Sequence, residues 1–226
     1  MRELLHFLRH APSTLVLKQR LSQEELYDVV MDRADAAGLG EQRHELVSDL
    51  TGEVVEIGCG TGHMFPHYGA GAHVTAVEND DRFAARARER AKNVAAKIDV
   101  VLGDAAALPL PDASVDSVVF GLVLCSVADV PKSLAEARRV LKPGGEIRLL
   151  EHVRSPRPVT GFFMDVANPI WLALNGQGCR MNRDTEAALR EAGLVCTDVS
   201  AFQVYSAGLP AFPMRRMKAR PAGSPP

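Results

Sequence analysis

Three glycines at alternate positions constrain this chain more than any other feature of its sequence. They end the stretch VVEIGCGTG, residues 54–62, in which an apolar, β-branched run precedes Gly58, Gly60 and Gly62. Such a run predicts a buried strand, and the glycines predict a tight turn that needs positive φ and lets the backbone approach a ligand closely. A helix-compatible segment follows, so we expect a strand, a turn and a helix N-terminus in direct succession.

A carboxylate follows the next apolar run. Residues 73–77 form a second predicted strand, and Glu78 comes directly after it, 20 positions beyond Gly58. An acid with this offset, at the tip of the second strand, is where nucleotide-binding folds hold a ribose diol. A dinucleotide is nevertheless disfavoured, because its fingerprint needs a third glycine where this chain has His63. Glu56 points toward the same turn, which suits a ligand that carries an amine and a sulfonium.

The E-x-G-x-G-x-G pattern that begins at Glu56 resembles motif I of the class I S-adenosylmethionine-dependent methyltransferases. The resemblance implies S-adenosyl-L-methionine as the cofactor, with its amino-acid end on the glycine turn, its ribose on Glu78 and its adenine on Asp104. The alternative for Asp104 is a turn cap. Tyr27 resembles a residue with which related enzymes close over the cofactor. The expected cofactor-binding residues are Tyr27, Glu56, Gly58, Cys59, Gly60, Gly62, Glu78, Asn79, Asp104, Ala105 and Leu122.

From Thr51 onward, predicted strands alternate with predicted helices. This order indicates right-handed crossovers and a parallel sheet with ligands bound at the strand C-termini. We therefore expect an α/β fold, a three-layer Rossmann-like sandwich with a mostly parallel sheet of about seven strands and an antiparallel last strand. One domain is expected to comprise an N-terminal helical cap (1–50), a cofactor-binding core (51–153), a helical insert lining the acceptor cleft (154–183) and a closing segment (184–226).

The composition describes an ordinary globular domain. The chain has 226 residues and a net charge of −2, so nothing global favours nucleic acid or an anionic membrane as a partner. Residues 4–10 are too short and too charged for a secretory or membrane segment, and the tail from residue 220 is expected to fray. The four cysteines have no paired spacing, which predicts a reduced, cytoplasmic protein without a bound metal. The oligomeric state stays open.

His152, just past the fifth predicted strand, is the first candidate for a general base or an acceptor-orienting residue, and a packing role is equally compatible with its position. Glu151 beside it could orient the imidazole, whereas His63 and His67 are expected on the helix after the glycine turn. Cys125 could contact the acceptor, although its apolar neighbours favour packing over nucleophilic catalysis. Phe163 and Trp171 are candidates for the wall of an acceptor pocket, with the core as the alternative.

The chain from Tyr27 onward is similar to the alkyl-thiol methyltransferases of the methyltransferase-like group. The similarity rests on the segment around Cys125 and Ser126, where many other relatives carry a histidine pair, and on four further blocks at residues 139–145, 151–153, 165–171 and 179–185. It implies S-methylation of a small-molecule thiol. An O- or C-methyltransferase acting on a quinone, phenolic or phospholipid-type acceptor is the alternative, and a non-catalytic cofactor-binding partner protein is the second. Animal members have a hydrophobic N-terminal segment that this sequence lacks, so we expect no stable membrane insertion.

Overall fold

A single seven-stranded sheet organises the computed structural model, which describes residues 20–206 and 212–223. The strand order is β3-β2-β1-β4-β5-β7-β6. Strands β1 to β5 pair in parallel, and β7 runs antiparallel to both of its neighbours, which confirms the predicted fold. The strands are β1 Gly52–Ile57, β2 Ala72–Glu78, β3 Lys97–Leu102, β4 Val115–Gly121, β5 Leu141–His152, β6 Leu194–Gln203 and β7 Pro213–Pro221.

Helices cover both faces of the sheet. One face packs on α2 and α3, and the other packs on α4 and α6, as expected for a three-layer sandwich. The side chains of β1 alternate between these two cores, since Val54 joins the first and Val55 the second. The helices are α1 Gln23–Ala34, α2 Gly40–Val47, α3 Asp81–Ala91, α4 Val130–Val140, α5 Pro158–Asn175 and α6 Thr185–Glu191, and a π-helical turn, Asp35–Leu39, joins α1 to α2.

Side-chain caps begin several of these helices. Ser22 and Glu25 form a reciprocal capping box at the start of α1. Asp80 and Asp184 accept backbone hydrogen bonds at the starts of α3 and α6. None of the helices within residues 20–206 and 212–223 is both long enough and apolar enough to cross a bilayer.

Two local predictions are wrong. The glycine turn leads not into a helix but into further turns and one 3₁₀ turn, Phe65–His67, because β2 begins at Ala72 and the short segment between contains Pro66 and two glycines. The tail does not fray from residue 220, because β7 extends to Pro221, which pairs with Leu194. The predictions for residues 4–10 and 224–226 lie outside the described residues.

Arg148 fastens α2 to the sheet. Its side chain is buried within β5, where it donates to the Leu46 carbonyl oxygen and forms ion pairs with Asp49 and Glu146. A buried guanidinium needs such partners, because an unpaired charge in the core is strongly destabilising.

We predict that Arg148→Met lowers the free energy of unfolding by about 3 kcal/mol, since the Leu46 carbonyl and the Glu146 carboxylate lose their common donor. Urea denaturation of the variant measures the change. Arg82→Met is the matched control, because it breaks an exposed ion pair with Asp80 and should cost less than about 1 kcal/mol. Equal losses in the two variants would contradict the role given to Arg148.

Candidate functional site

The glycine turn lies at the C-terminal edge of β1, between β2 and β4. The amides of Gly58 and Cys59 donate to the Val77 carbonyl oxygen at 2.8 and 3.1 Å, which holds the turn against β2. Gly58 and Gly60 have φ of +66° and +59°, as the sequence predicts. A Cβ atom on Gly58 would collide with Val123 in the loop after β4. The turn therefore admits only glycine where the two loops meet.

Glu78, at the tip of β2, ties the glycine turn to the neighbouring strand. Its Oε2 accepts from the Gly60 amide at 2.8 Å, and its Oε1 accepts from the amides of Asn79 and Asp80 at 2.9 and 3.0 Å. The residue is 8% exposed. A carboxylate offers about four acceptor positions, so one remains for a hydroxyl group of a ligand. Asn79 itself is exposed and lies within the same turn.

Glu56 is placed in the core rather than in an open cleft. It is 3% exposed, and its Oε2 accepts from the Tyr68 hydroxyl at 3.0 Å. Burial raises the pKa of Glu56 to about 8. The carboxyl group is therefore largely protonated at neutral pH, and its predicted contact with a cofactor amine stays a prediction.

The C-terminal edges of β3 and β4 complete the cleft. Asp104 is exposed, and its Oδ1 accepts from the Ala106 amide at 2.7 Å, so the carboxylate caps a turn as the alternative interpretation held. Ala105 packs against the core beneath that turn. Leu122, directly after β4, has φ of +60°, a strained conformation for a branched side chain. Backbone strain beside the glycine turn indicates a site whose geometry the surrounding contacts impose.

Helix α1 closes over the glycine turn. The Tyr27 ring lies against Gly60, where an added Cβ would come within 3.3 Å of the tyrosine hydroxyl. Asp28 accepts from the Thr61 hydroxyl at 2.6 Å and from the Arg86 guanidinium at 2.7 Å. These contacts place helix α1 over the C-terminal edge of the parallel strands rather than beside the sheet.

His63 belongs to the same network. It is 7% exposed, and its Nδ1 lies 2.8 Å from the Arg90 guanidinium while its Nε2 lies 3.1 Å from an Asp32 carboxylate oxygen. Burial lowers the pKa of His63 to about 4, so the ring is neutral and accepts from Arg90. Arg86 and Arg90, on α3, are partly buried against α1 through their contacts with Asp28. Sequence reasoning missed Thr61 and both arginines, since no local pattern marks them.

A second cluster lies past β4 and β5. The ligand atoms of Cys125, His152 and Cys179 all lie within 4.8 Å of one another, and His152 Nε2 is 3.0 Å from Cys179 Sγ. The Cys125 thiol and the His152 imidazole lower the pKa of Cys179 to about 4. Burial opposes the change at His152, but the hydrogen bond and charge of Cys179 raise the pKa of the imidazole.

The Nε2 of His152 is already paired with Cys179 and its Nδ1 is buried, so this geometry fits an acceptor-orienting role of His152 better than that of a general base. Glu151 supports the cluster instead of orienting the imidazole. Its Oε1 accepts from the amides of Val123 and Leu124 at 2.9 and 3.0 Å, which fixes the loop that carries Cys125.

An apolar groove of about 740 Å³ runs beside this cluster, between α5 and strands β6 and β7. Phe163 and Trp171 both line it, so neither belongs to the core, and Phe163 is 64% exposed. The Trp171 ring packs edge-on against Phe212 at a centroid distance of 5.4 Å, and Phe212 lies 5.0 Å from the His152 ring. Ring contacts therefore connect the groove to the cysteine–histidine cluster. The loop that carries Cys125 in turn contacts Gly58 through Val123.

Comparison with known proteins agrees with this arrangement. A family model described as a methyltransferase domain matches residues 55–149. The chain is 34% identical over 155 residues to the rat thiol S-methyltransferase TMT1B, covering 65% of this chain and 63% of the relative. It is 32% identical over 166 residues to human thiol S-methyltransferase TMT1A, covering 68% of each protein. The chain thus spans about two thirds of the length of these curated relatives.

Solved structures show the same fold at lower identity. A SAM-dependent methyltransferase from Aquifex aeolicus superposes with a TM-score of 0.61 at 16% identity, covering 88% of this chain and 99% of that one. Geranyl diphosphate C-methyltransferase from Streptomyces coelicolor, solved with S-adenosyl-L-homocysteine, gives a TM-score of 0.60 at 16% identity and covers 80% of each chain.

The fold and the glycine-turn site thus define a Rossmann-like methyltransferase of class I. The chain belongs to the S-adenosylmethionine-dependent methyltransferase family, and its curated relatives include thiol S-methyltransferases. The residues present fit the family's cofactor. A turn that only glycine can occupy lets the backbone approach a ligand, and Glu78 keeps an acceptor position at the adjacent strand tip.

We predict that Glu56→Gln removes a pH dependence of stability. Between its unfolded pKa of 4.5 and its folded pKa of about 8, Glu56 is protonated only in the folded protein. The wild type should therefore lose about 1 kcal/mol per pH unit relative to Glu56→Gln as the pH rises through this window, and the loss should stop above it. Urea denaturation of both proteins at several pH values measures the difference, and parallel profiles would contradict the buried protonated state.

We also predict that Asp28→Asn loosens α1, because an amide nitrogen cannot accept the hydrogen bond from Arg86. Amide hydrogen exchange over residues 23–34 should accelerate about tenfold, in line with a loss of 1–2 kcal/mol for a charged hydrogen bond. Asp32→Asn, one turn further along the helix, is the control, because an asparagine there can still accept the single hydrogen bond from His63 Nε2. Unchanged exchange in Asp28→Asn would show that other contacts hold α1.

Proposed function

We propose that this chain transfers a methyl group from S-adenosylmethionine to the sulfur of a small apolar thiol. The observation that carries the proposal is a series of side-chain contacts from the apolar groove through Trp171, Phe212 and His152 to Cys125, on the loop that packs on Gly58. An apolar acceptor would lie in the groove with its reactive end toward the glycine turn. The thiol S-methyltransferases among the curated relatives support sulfur as the acceptor atom.

Methyl transfer depends on alignment of the two reactants and on exclusion of water more than on acid–base catalysis. The cofactor supplies a methyl group that its sulfonium already makes electrophilic. Glu78 and the glycine turn orient the ligand, and Tyr27 on α1 closes the cleft against water. The acceptor sulfur forms its bond to the methyl carbon in line with the bond that breaks, whose electron pair stays with the cofactor sulfur. The thiol proton passes to water, since an ordinary thiol has a pKa of about 8.5.

The helical insert, residues 154–183, supplies α5 and Trp171 to the groove, and the N-terminal segment supplies the cap over the cofactor turn. We therefore retain the division into a cap (1–50), a core (51–153), an insert (154–183) and a closing segment (184–226) as part of the proposal. The proposal also includes a cytoplasmic location, because of the cysteine content, and no nucleic-acid partner, because of the net charge of −2.

A C-methyltransferase acting on a quinone precursor is the second candidate. The chain is 41% identical over 110 residues to the ubiquinone/menaquinone biosynthesis C-methyltransferase UbiE of Methylobacterium nodulans, covering 46% of this chain and 44% of that protein. The aromatic lining of the groove is compatible with a flat ring. A carbon acceptor needs a base to take its proton, whereas His152 here is paired with Cys179.

An acceptor panel tests the proposal. Alkyl and aryl thiols, phenols and quinols of matched size are incubated with the cofactor, and formation of S-adenosylhomocysteine is measured. We expect turnover with apolar thiols and a rise in kcat/KM with chain length, because each buried methylene contributes about 0.8 kcal/mol. Turnover of phenols or quinols in preference to thiols would contradict S-methylation, and no turnover with any acceptor would favour a non-catalytic protein.

We predict that Phe163→Ala raises the KM for a long-chain thiol about five- to tenfold, because the ring's contact with the acceptor is lost. Phe162→Ala is the matched control, since this neighbour on α5 is 60% exposed and does not line the groove. A short hydrophilic thiol should not distinguish the two variants. Equal effects of both substitutions would remove the groove from acceptor binding.

A further inference from the structure

Three separate segments bring Cys125, His152 and Cys179 together. Cys125 follows β4, His152 ends β5, and Cys179 lies in the connection between α5 and α6. Cys125 and His152 are 2% and 5% exposed, and Cys179 is partly buried. The three side chains offer two sulfur atoms and one imidazole nitrogen, all within 4.8 Å of one another. The spacing of the cysteines in the sequence did not predict this cluster. Because the fold brings two cysteines and a histidine together, the lack of paired spacing no longer argues against a bound metal.

The donor set matches one ion in particular. Zn²⁺ binds thiolate sulfur at about 2.3 Å and imidazole nitrogen at about 2.0 Å in a tetrahedron, which places ligand atoms roughly 3.5–3.8 Å apart. In this structure, His152 Nε2 and Cys179 Sγ are 3.0 Å apart, and no two of the three ligand atoms are more than 4.8 Å apart. The separations that zinc requires lie between these two distances. Two sulfurs and one nitrogen favour zinc over the hard cations, which prefer oxygen ligands.

The backbone around the cluster is held in place before any ion binds. The Asn175 side chain donates to the Cys179 carbonyl oxygen at 2.9 Å and accepts from the Cys179 amide at 3.2 Å. The Arg180 amide donates to the Cys125 carbonyl oxygen at 2.9 Å, which joins the two cysteine loops. Within residues 20–206 and 212–223, the buried Nδ1 of His152 and Oε2 of Glu151 have no hydrogen-bond partner. Unsatisfied polar atoms in a core are uncommon, and these two belong to the residues that form and support the cluster.

We propose that Cys125, His152 and Cys179 bind Zn²⁺ and that the fourth coordination position takes the sulfur of the acceptor thiol. Three protein ligands with one open position are the arrangement of catalytic rather than structural zinc. Trp171 lines the apolar groove and also contacts Cys179, so this side chain joins the groove to the cluster. The second part of the inference rests on the proposed function, because it identifies the acceptor as a thiol.

The consequence for the acceptor is loss of its proton. The S–H bond breaks, the sulfur forms a bond to the zinc ion, and the proton passes to water. A zinc-bound sulfur stays a thiolate well below the ordinary thiol pKa of about 8.5. The ion would thereby hold the acceptor sulfur ionised at the end of the groove.

Cobalt(II) tests the metal site without any reference to turnover. The full chain is reduced, freed of metal with a chelator, and titrated anaerobically with Co²⁺, whose thiolate complexes give an intense charge-transfer absorption band. We expect the band to saturate at one equivalent and Zn²⁺ to abolish it. Cys125→Ser, His152→Gln and Cys179→Ser should each weaken binding at least about 100-fold, whereas the control Cys196→Ser, which alters a cysteine on β6, should bind like the wild type.

Binding of S-adenosylhomocysteine, measured by calorimetry on every variant, shows which proteins remain folded and separates this test from that of the methyltransferase proposal. Absence of the band in the reduced wild type, a band that survives in Cys125→Ser and Cys179→Ser, or its loss in Cys196→Ser would overturn the metal site. An apolar thiol added to the cobalt protein should shift the band, and an unchanged spectrum would overturn thiol binding at the fourth position.

Discussion

The hydrogen bonds of the Glu78 carboxylate are the constraint on which the geometry of the glycine-turn site depends. One side chain connects the glycine turn after β1 with the first residues beyond β2, and the same turn is held by the Val77 carbonyl oxygen. The cost of burying this carboxylate is offset by its three backbone donors. Because Gly58 also packs on Val123, a shift of the turn would disturb the loop that carries Cys125. Direct contacts thus join the glycine turn to the loop of the cysteine–histidine cluster.

Local patterns were sufficient to predict the fold. The apolar runs and the turn residues between them predicted all seven strands, and the offset between Gly58 and Glu78 brought together the glycine turn and the tip of β2, which contact each other. The helix after the turn was predicted wrongly, since Pro66 and the early start of β2 leave room for one 3₁₀ turn only. The acceptor side escaped prediction for a different reason. His152 lies 27 residues after Cys125, and Cys179 lies 27 residues after His152, so only the tertiary fold brings the three together.

Two helices outside the sheet, α1 and α5, cover the glycine turn and line the apolar groove. Helix α1 covers the glycine turn through Tyr27 and is anchored by Asp28, which also engages Arg86 of α3. Helix α5 forms one wall of the apolar groove, and much of the helix's own apolar surface is exposed. The resemblance to related enzymes indicated Tyr27, whereas the arginines that complete the anchor of α1 carry no local signal. Their role depends on the packing of α1 against α3.

Calorimetric titration with S-adenosylhomocysteine tests most directly whether the glycine turn and Glu78 form the cofactor site. The wild type should bind one molecule, and Glu78→Ala should lose at least about tenfold in affinity, because it removes the acceptor of the ribose and loosens the turn. Glu53→Ala serves as the control, since Glu53 lies at the opposite end of β1 and is half exposed. Equal affinities in all three proteins, or no binding to the wild type, would contradict the account.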